Sequence, residues 1–249
     1  MHEARAYTYV DRSQATVGNQ WFERSWSAFL GNTNSLFQQR GEVEWITSRC
    51  PEFEVLCDDA ALNVMDFGEV VWSEENSPVG ATLVGRQVRP GCEVTVSTLA
   101  YHDNPGMRRL VSIRNTGAKP IIIRRVAIEQ LSVRQEGLCV LSHGFERQHE
   151  TLDWETEERG PALAVNGRGL FLGVEGGARF AAFTRDPNVC SVYVHGPKRL
   201  DPGAVWELPP AFILPFHGDI HDASRTVLAE LLMRLRDKPA RYTESEDDF

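Results

Sequence analysis

A chain of 249 residues is long enough for one large all-β domain or two ordinary ones, and 42% hydrophobic with 24% charged residues suits a chain that buries a sizeable core. Lys and Arg total 26 against 35 Asp and Glu, and the resulting charge of −9 repels phosphate backbones and anionic bilayers, so neither nucleic acid nor a membrane is an expected partner. The five cysteines, Cys50, Cys57, Cys92, Cys139 and Cys190, are odd in number, widely spaced and lack a C-x-x-C pair, which argues for reduced thiols rather than a disulfide framework or a zinc site. No basic segment leads into an apolar one at the N-terminus, and no window reaches the ~18 apolar residues of a membrane span, so a cytoplasmic protein is expected.

Residues 4–56 form short runs bounded by Gly, Asn, Pro or Asp. In residues 20–26, Trp21, Glu23 and Ser25 share one face and Phe22, Arg24 and Trp26 the other; neither is purely apolar, so half-burial is expected. Residues 66–79 read as a loop around Val70 and Val71. Residues 82–88 and 92–101 read as strands joined by the turn Arg89-Pro90-Gly91, and Asp103-Asn104-Pro105-Gly106 is a second turn. It leads into residues 107–135, which alternate with period two around Asn115-Thr116-Gly117 and predict the central hairpin of a large antiparallel sheet. Ile121-Ile122-Ile123 predicts cover on both faces, with solvent returning at Arg124, Arg125, Glu129 and Gln130.

Farther on, the acidic stretch 150–158 surrounds Trp154, and residues 170–172 lie between glycines. Short strands follow at 180–183, 190–194, 205–208 and 211–216. One α-helix is predicted at about 223–237, capped by Asp222, with Val227, Leu228, Leu231, Leu232 and Leu235 on one face and Pro239 ending it. The expected organisation is a single domain over 1–240 with an acidic, flexible tail at 241–249. Many strands and one outer helix predict an all-β, two-layer antiparallel sandwich.

Several segments in order carry a resemblance: Gly18-Asn19-Gln20-Trp21-Phe22-Glu23-Arg24-Ser25, Glu44-Trp45 followed by Pro51-Glu52-Phe53-Glu54-Val55, Ile113-Arg114-Asn115-Thr116-Gly117 within 108–123, and Gly169-Leu170-Phe171-Leu172-Gly173-Val174-Glu175. Together they resemble the N-terminal β-supersandwich domain of α-galactosidase and raffinose-synthase-like glycoside hydrolases, a galactose-mutarotase-like fold. The resemblance implies a domain that shapes a sugar-binding enzyme rather than one that does its chemistry. Those hydrolases carry their catalytic carboxylates on a TIM barrel, which needs about 250 residues of alternating strand and helix. This chain has no such alternation, so the family's acid and nucleophile have no positions to carry over. A fragment of a longer hydrolase and a stand-alone relative both fit.

For sugar binding, an aromatic face matches the apolar face of a pyranose while polar neighbours bond its hydroxyls. Trp72 and Trp154 are the aromatic candidates, with Asp66, Arg86 and Arg24 as a rim for Trp72; Trp21, Trp26, Trp45 and Trp206 read as core. The partners expected are a galactoside or other hexoside, and either further copies of this chain or a partner catalytic domain. The alternative is an aldose 1-epimerase using His195 and Glu175 as acid and base. His217, Asp219 and His221 would share one face of an extended segment, as metal ligands require, but Asp222 capping the helix with the others in an exposed loop explains them better. No cofactor is expected.

Overall fold

A computed structural model describes residues 5–39, 42–58, 60–133, 139–142, 161–165, 167–175, 181–186 and 189–236. Trp154, the stretch 150–158 and the tail 241–249 lie outside these. The N-terminal sheet is a meander, β1 (Tyr7–Val10), β2 (Gln14–Gly18), β3 (Phe22–Ser27), β4 (Thr33–Gln38) and β5 (Val43–Glu44), paired in chain order. A second sheet is built on β12 (Ile121–Ser132), flanked by β6 (Glu54–Cys57) and β7 (Ala60–Asn63) on one side and by β17 (Val189–Leu200) and β16 (Ala181–Asp186) on the other. The large sheet has nine strands, ordered β13 (Cys139–Ser142), β14 (Pro161–Val165), β15 (Arg168–Val174), β19 (Ala211–His217), β11 (Met107–Asn115), β10 (Cys92–Tyr101), β9 (Gly80–Arg89) and β8 (Val71–Ser77), with β18 (Val205–Glu207) also on β11.

β11 and β12 are not a hairpin. Each strand has two edges, and both are taken: β11 pairs with β10 on one side and with β18 and β19 on the other, and β12 pairs with β17 and β6. The turn at 115–117 exists, but it is an arch that carries the chain from the large sheet to the β12 sheet. Asn115 sets it. Its buried side chain accepts from the Gly117 amide at 2.9 Å and donates to the Lys119 and Leu200 carbonyls, each at 2.8 Å.

The burial of β12 follows expectation at Ile123, which is buried, and at Arg124, which is exposed, and departs from it elsewhere. Ile122 is exposed, whereas residues 126–132 are buried on both faces, Glu129 and Gln130 included. Hydrophobic runs mark covered strands only when nothing polar inside the fold competes for the same place. Residues 71–77 form β8 rather than a loop, because β9 supplies them with a full antiparallel ladder. The turn at Arg89-Pro90-Gly91 stands as read, with Gly91 at φ +88°.

Phe22, Trp26, Leu36, Trp45, Phe53, Leu83, Val94, Ile113, Ile123, Val126 and Ile128 are among the residues of the main core. A second cluster joins the outer face of the large sheet to the C-terminal helix: Leu228, Leu231 and Leu235 pack on Tyr101, Phe171, Phe212, Leu214 and Phe216. Burying each such side chain contributes roughly 1.5–3 kcal/mol. That helix begins at α1 (Ile220–Ala223), passes through a π-turn at Ser224–Leu228 and continues as α2 (Ala229–Arg236). It starts three residues before the expected 223 because Ile220 packs against the second cluster. Its cap is therefore Asp219, whose Oδ1 accepts from the Asp222 amide at 3.2 Å; Asp222 itself lies inside the first turn. The π-turn rotates the helix surface, so that Leu228, Leu231 and Leu235 face inward while Leu232 turns out to solvent.

Candidate functional site

Arg24 does not stand on a rim. Period two puts Phe22, Arg24 and Trp26 on the core face of β3, so the guanidinium is carried inside and lies 5.2 Å from the Trp26 ring centroid. Burial of a cation demands anions, and two arrive from elsewhere. Arg24 Nη1 and Nη2 donate to Glu129 of β12 at 2.7 Å each, and Nη2 also reaches Glu52, just before β6, at 3.1 Å. Arg109 of β11 completes the set, 2.6 Å from Glu52 Oε1 and 3.5 Å from Glu129, with Nη2 donating to the Glu52 carbonyl at 2.5 Å. One charged residue from each of the three sheets, plus one from a loop, thus meet in a neutral cluster. Burial opposes the charge on Glu129, but Arg24 and Arg109 outweigh it and hold its carboxyl below the ordinary range. Two signals in sequence pointed here: an Arg flanked at i±2 by aromatics, and a Glu inside the apolar run 126–131.

The other sequence candidates are placed as follows. Trp72 is half-buried, 5.8 Å from Trp26, with its indole N–H on the Ala28 carbonyl at 2.8 Å. The void beside it is only about 10 Å³, room for about one water and not for a sugar. Asp66 closes a capping box with Asn63 on the 3-10 turn Val64–Asp66, and Arg86 pairs with Glu93. His195 is exposed on β17, whereas Glu175 follows β15 of the large sheet and is held by Arg108 in a two-pronged ion pair of 2.5 and 2.7 Å. No contact among the described residues brings these two together. His217 is exposed at the end of β19 and Asp219 caps the helix; the side chain of His221 lies outside the described residues.

What the structure does assemble is an open cleft of about 620 Å³, lined by Arg5, Gln20, Trp21, Ser77, Pro78, His102 and Asp103. Four turns or strand ends build it, and Asn19 locks two of them. Its buried amide donates to the Tyr101 and Asn104 carbonyls at 3.2 and 3.0 Å, and its oxygen accepts from the Trp21 and Phe22 amides at 3.0 Å each. The β2–β3 turn is thereby pinned to the β10–β11 turn, which leaves Trp21 half-buried, packed against the margin of the main core and lining the cleft. The signal in sequence was the Gly18-Asn19 pair, which makes Gln20 and Trp21 turn residues rather than mid-strand ones.

His102 joins the remaining walls. Its Nδ1 accepts from the Ala6 amide at 3.0 Å, so the ring hydrogen belongs on Nε2, which donates to the Ser77 carbonyl at 3.1 Å. Both nitrogens are committed to the backbone, and the Ser77 hydroxyl donates to the Gly80 carbonyl. Asp103 is held by a hydrogen bond from Arg234 at 2.6 Å, which keeps its carboxyl below the ordinary range and leaves it an acceptor. The cleft therefore presents one aromatic surface with a carboxylate, an amide and a guanidinium around it, and its histidine has no lone pair to spare for proton transfer.

No family model and no curated protein sequence matches the chain. Its fold is similar to that of the family 36 α-galactosidase AgaB of Geobacillus stearothermophilus, with a TM-score of 0.64 at 10% identity over 88% of this chain and 42% of that one. It is also similar to an α-mannosidase of Enterococcus faecalis V583, with a TM-score of 0.63 at 8% identity over 96% of this chain and 33% of the other. A galactose mutarotase-like protein of Clostridium acetobutylicum gives 0.57 at 7% identity, with 87% of this chain covering 100% of it. The fold is the galactose-mutarotase supersandwich. This supersandwich spans about two fifths of the α-galactosidase, and identities so low carry the fold and none of the relatives' site residues.

Proposed function

We propose that this supersandwich is a non-catalytic, carbohydrate-associated domain that binds a galactoside or other hexoside in the cleft around Trp21. The observation that carries the reading is the lining of that cleft: the indole offers a flat apolar surface for the sugar ring, and Arg5, Gln20 and Asp103 surround it with groups for hydroxyls. A volume near 620 Å³ lies within the range of small-molecule sites. Binding rather than turnover is favoured by His102, whose ring is used to hold the walls in place. The fold supports the reading because proteins described as an α-galactosidase and as galactose mutarotase-like share it.

Titration calorimetry of the whole chain against a panel of galactosides, glucosides and mannosides tests this. Saturable heat with at least one sugar, with affinity about tenfold or more weaker in a Trp21→Ala variant that still unfolds cooperatively, is the expected result. Absence of heat across the panel, or equal heat from the variant, would remove the reading.

A further inference from the structure

The large sheet ends at β8, and among the described residues no strand pairs with its outer side. One face of β8 is anchored at Trp72, half-buried against Trp26 and the main core, and every other residue of the strand is exposed. In an antiparallel edge strand about half of the backbone N–H and C=O groups point away from the neighbour, a ready ladder for another extended chain. Its first residue, Val71, is 65% exposed, and the neighbouring loops carry Phe29 and Met65, exposed by 55 and 61%. The loops that carry them are fastened together: the Val70 amide donates to the Phe29 carbonyl at 3.2 Å, the Asn32 amide reaches Met65 sulfur at 3.9 Å, and the Gln87 amide donates to the Leu30 and Gly68 carbonyls at 3.4 and 3.1 Å. An anchored apolar patch thus adjoins the free edge. The side chains of Glu69, Glu74 and Glu75, exposed along and just before β8, make no ion pair or hydrogen bond among the described residues.

We propose that this edge receives an extended, lysine- or arginine-bearing segment of a partner protein. The segment pairs with β8 as an additional strand, rests an apolar side chain on Phe29, Met65 and Val71, and sets its cations against Glu74 and Glu75. Charge selects this occupant over a second copy. Two β8 edges brought together would oppose their own glutamates within a chain already at −9, and like charges across an interface are costly.

The test uses the full chain and fluorescence anisotropy of a labelled peptide as long as β8 in which pairs of lysines alternate with pairs of valines, so that cations fall on both faces as Glu74 and Glu75 do. One companion peptide replaces lysine with glutamate, and another carries backbone N-methyl groups on alternate residues. Saturable binding is expected for the first peptide, weaker by about tenfold or more for both companions and for the Glu74→Lys/Glu75→Lys variant. Binding should also add amide-exchange protection within β8. Phe29→Ser, at an exposed position, should weaken it without moving the thermal melt; if a variant does melt early, the peptide series still decides the matter on unaltered protein. No binding overturns the proposal. Equal binding of the N-methylated peptide does so as well, since that would be charge attraction without strand pairing. Concentration-dependent dimers with protected β8 amides would put a second copy on the edge and also overturn it.

Discussion

The buried cluster and the Trp21 cleft are made of similar side chains, with arginines, carboxylates and a tryptophan in each, yet they answer to opposite demands. In the cluster, Arg24, Arg109, Glu52 and Glu129 are sealed between three sheets, and each charge exists to satisfy another. In the cleft, Gln20, Asp103 and part of Trp21 stay open to solvent because a buried amide, Asn19, and a doubly bonded imidazole, His102, take the structural load behind them. The difference teaches that the polar groups which position a site and those which offer it to a ligand are separate sets here. Removing the first kind should cost stability, and removing the second should cost binding.

The sharpest way to break that division is Glu129→Gln. It leaves two buried guanidiniums facing one carboxylate, and a loss of about 3–5 kcal/mol is expected from urea denaturation. Replacing all four charges together with apolar residues of similar volume should recover much of that loss, since the cost lies in the unpaired charge rather than in the absence of the pair. The same cluster sets an acid limit. Because the folded carboxyl of Glu129 titrates below its ordinary 4.5, its contribution is fully present above that value and is lost as the pH falls through the lowered one. Stability measured against pH should therefore drop in the parent as the pH falls below the ordinary 4.5, and fall less steeply there in Glu129→Gln.

Asn19→Ala comes next. It strands the Tyr101 and Asn104 carbonyls and two amides, for which about 1–3 kcal/mol is expected, and it should weaken sugar binding as the two turns separate. Trp21→Ala should weigh more on binding: calorimetric affinity falls about tenfold or more, or 1.4 kcal/mol per decade, while the melt drops modestly because the half-buried indole also packs on the core margin. The smallest effect is expected of Arg234→Ala. Its bridge to Asp103 joins partly exposed groups, so a change of no more than ~1 kcal/mol should appear, and less at high salt.

Local signals were legible wherever the responsible groups are neighbours in the chain. Gly91 and the Pro90 before it predicted their turn, the spacing of Leu228, Leu231 and Leu235 predicted a helix with one apolar face, and the ordered motifs from Gly18 to Glu175 predicted the supersandwich. Alternation through β10 and β11 predicted strands, and these alternate in burial as expected. Pairing was not legible. Nothing in residues 107–135 distinguishes a hairpin from an arch, because the choice belongs to β18, β19, β17 and β6, which claim the edges that β11 and β12 would otherwise share.

By itself the sequence therefore determined a chain of strands with one outer helix, the turns between many of them, and a tryptophan beside a Gly-Asn turn, all of which depend on contacts a few residues long. Only the tertiary structure decided that Arg24 meets Glu129 across 105 positions, that Glu129 is interior, and that Trp21 shares a cleft with His102 and Asp103. The physical reason is that burial and charge pairing depend on which distant segments are laid side by side, and period-two patterning records which face a residue occupies without recording what that face will meet.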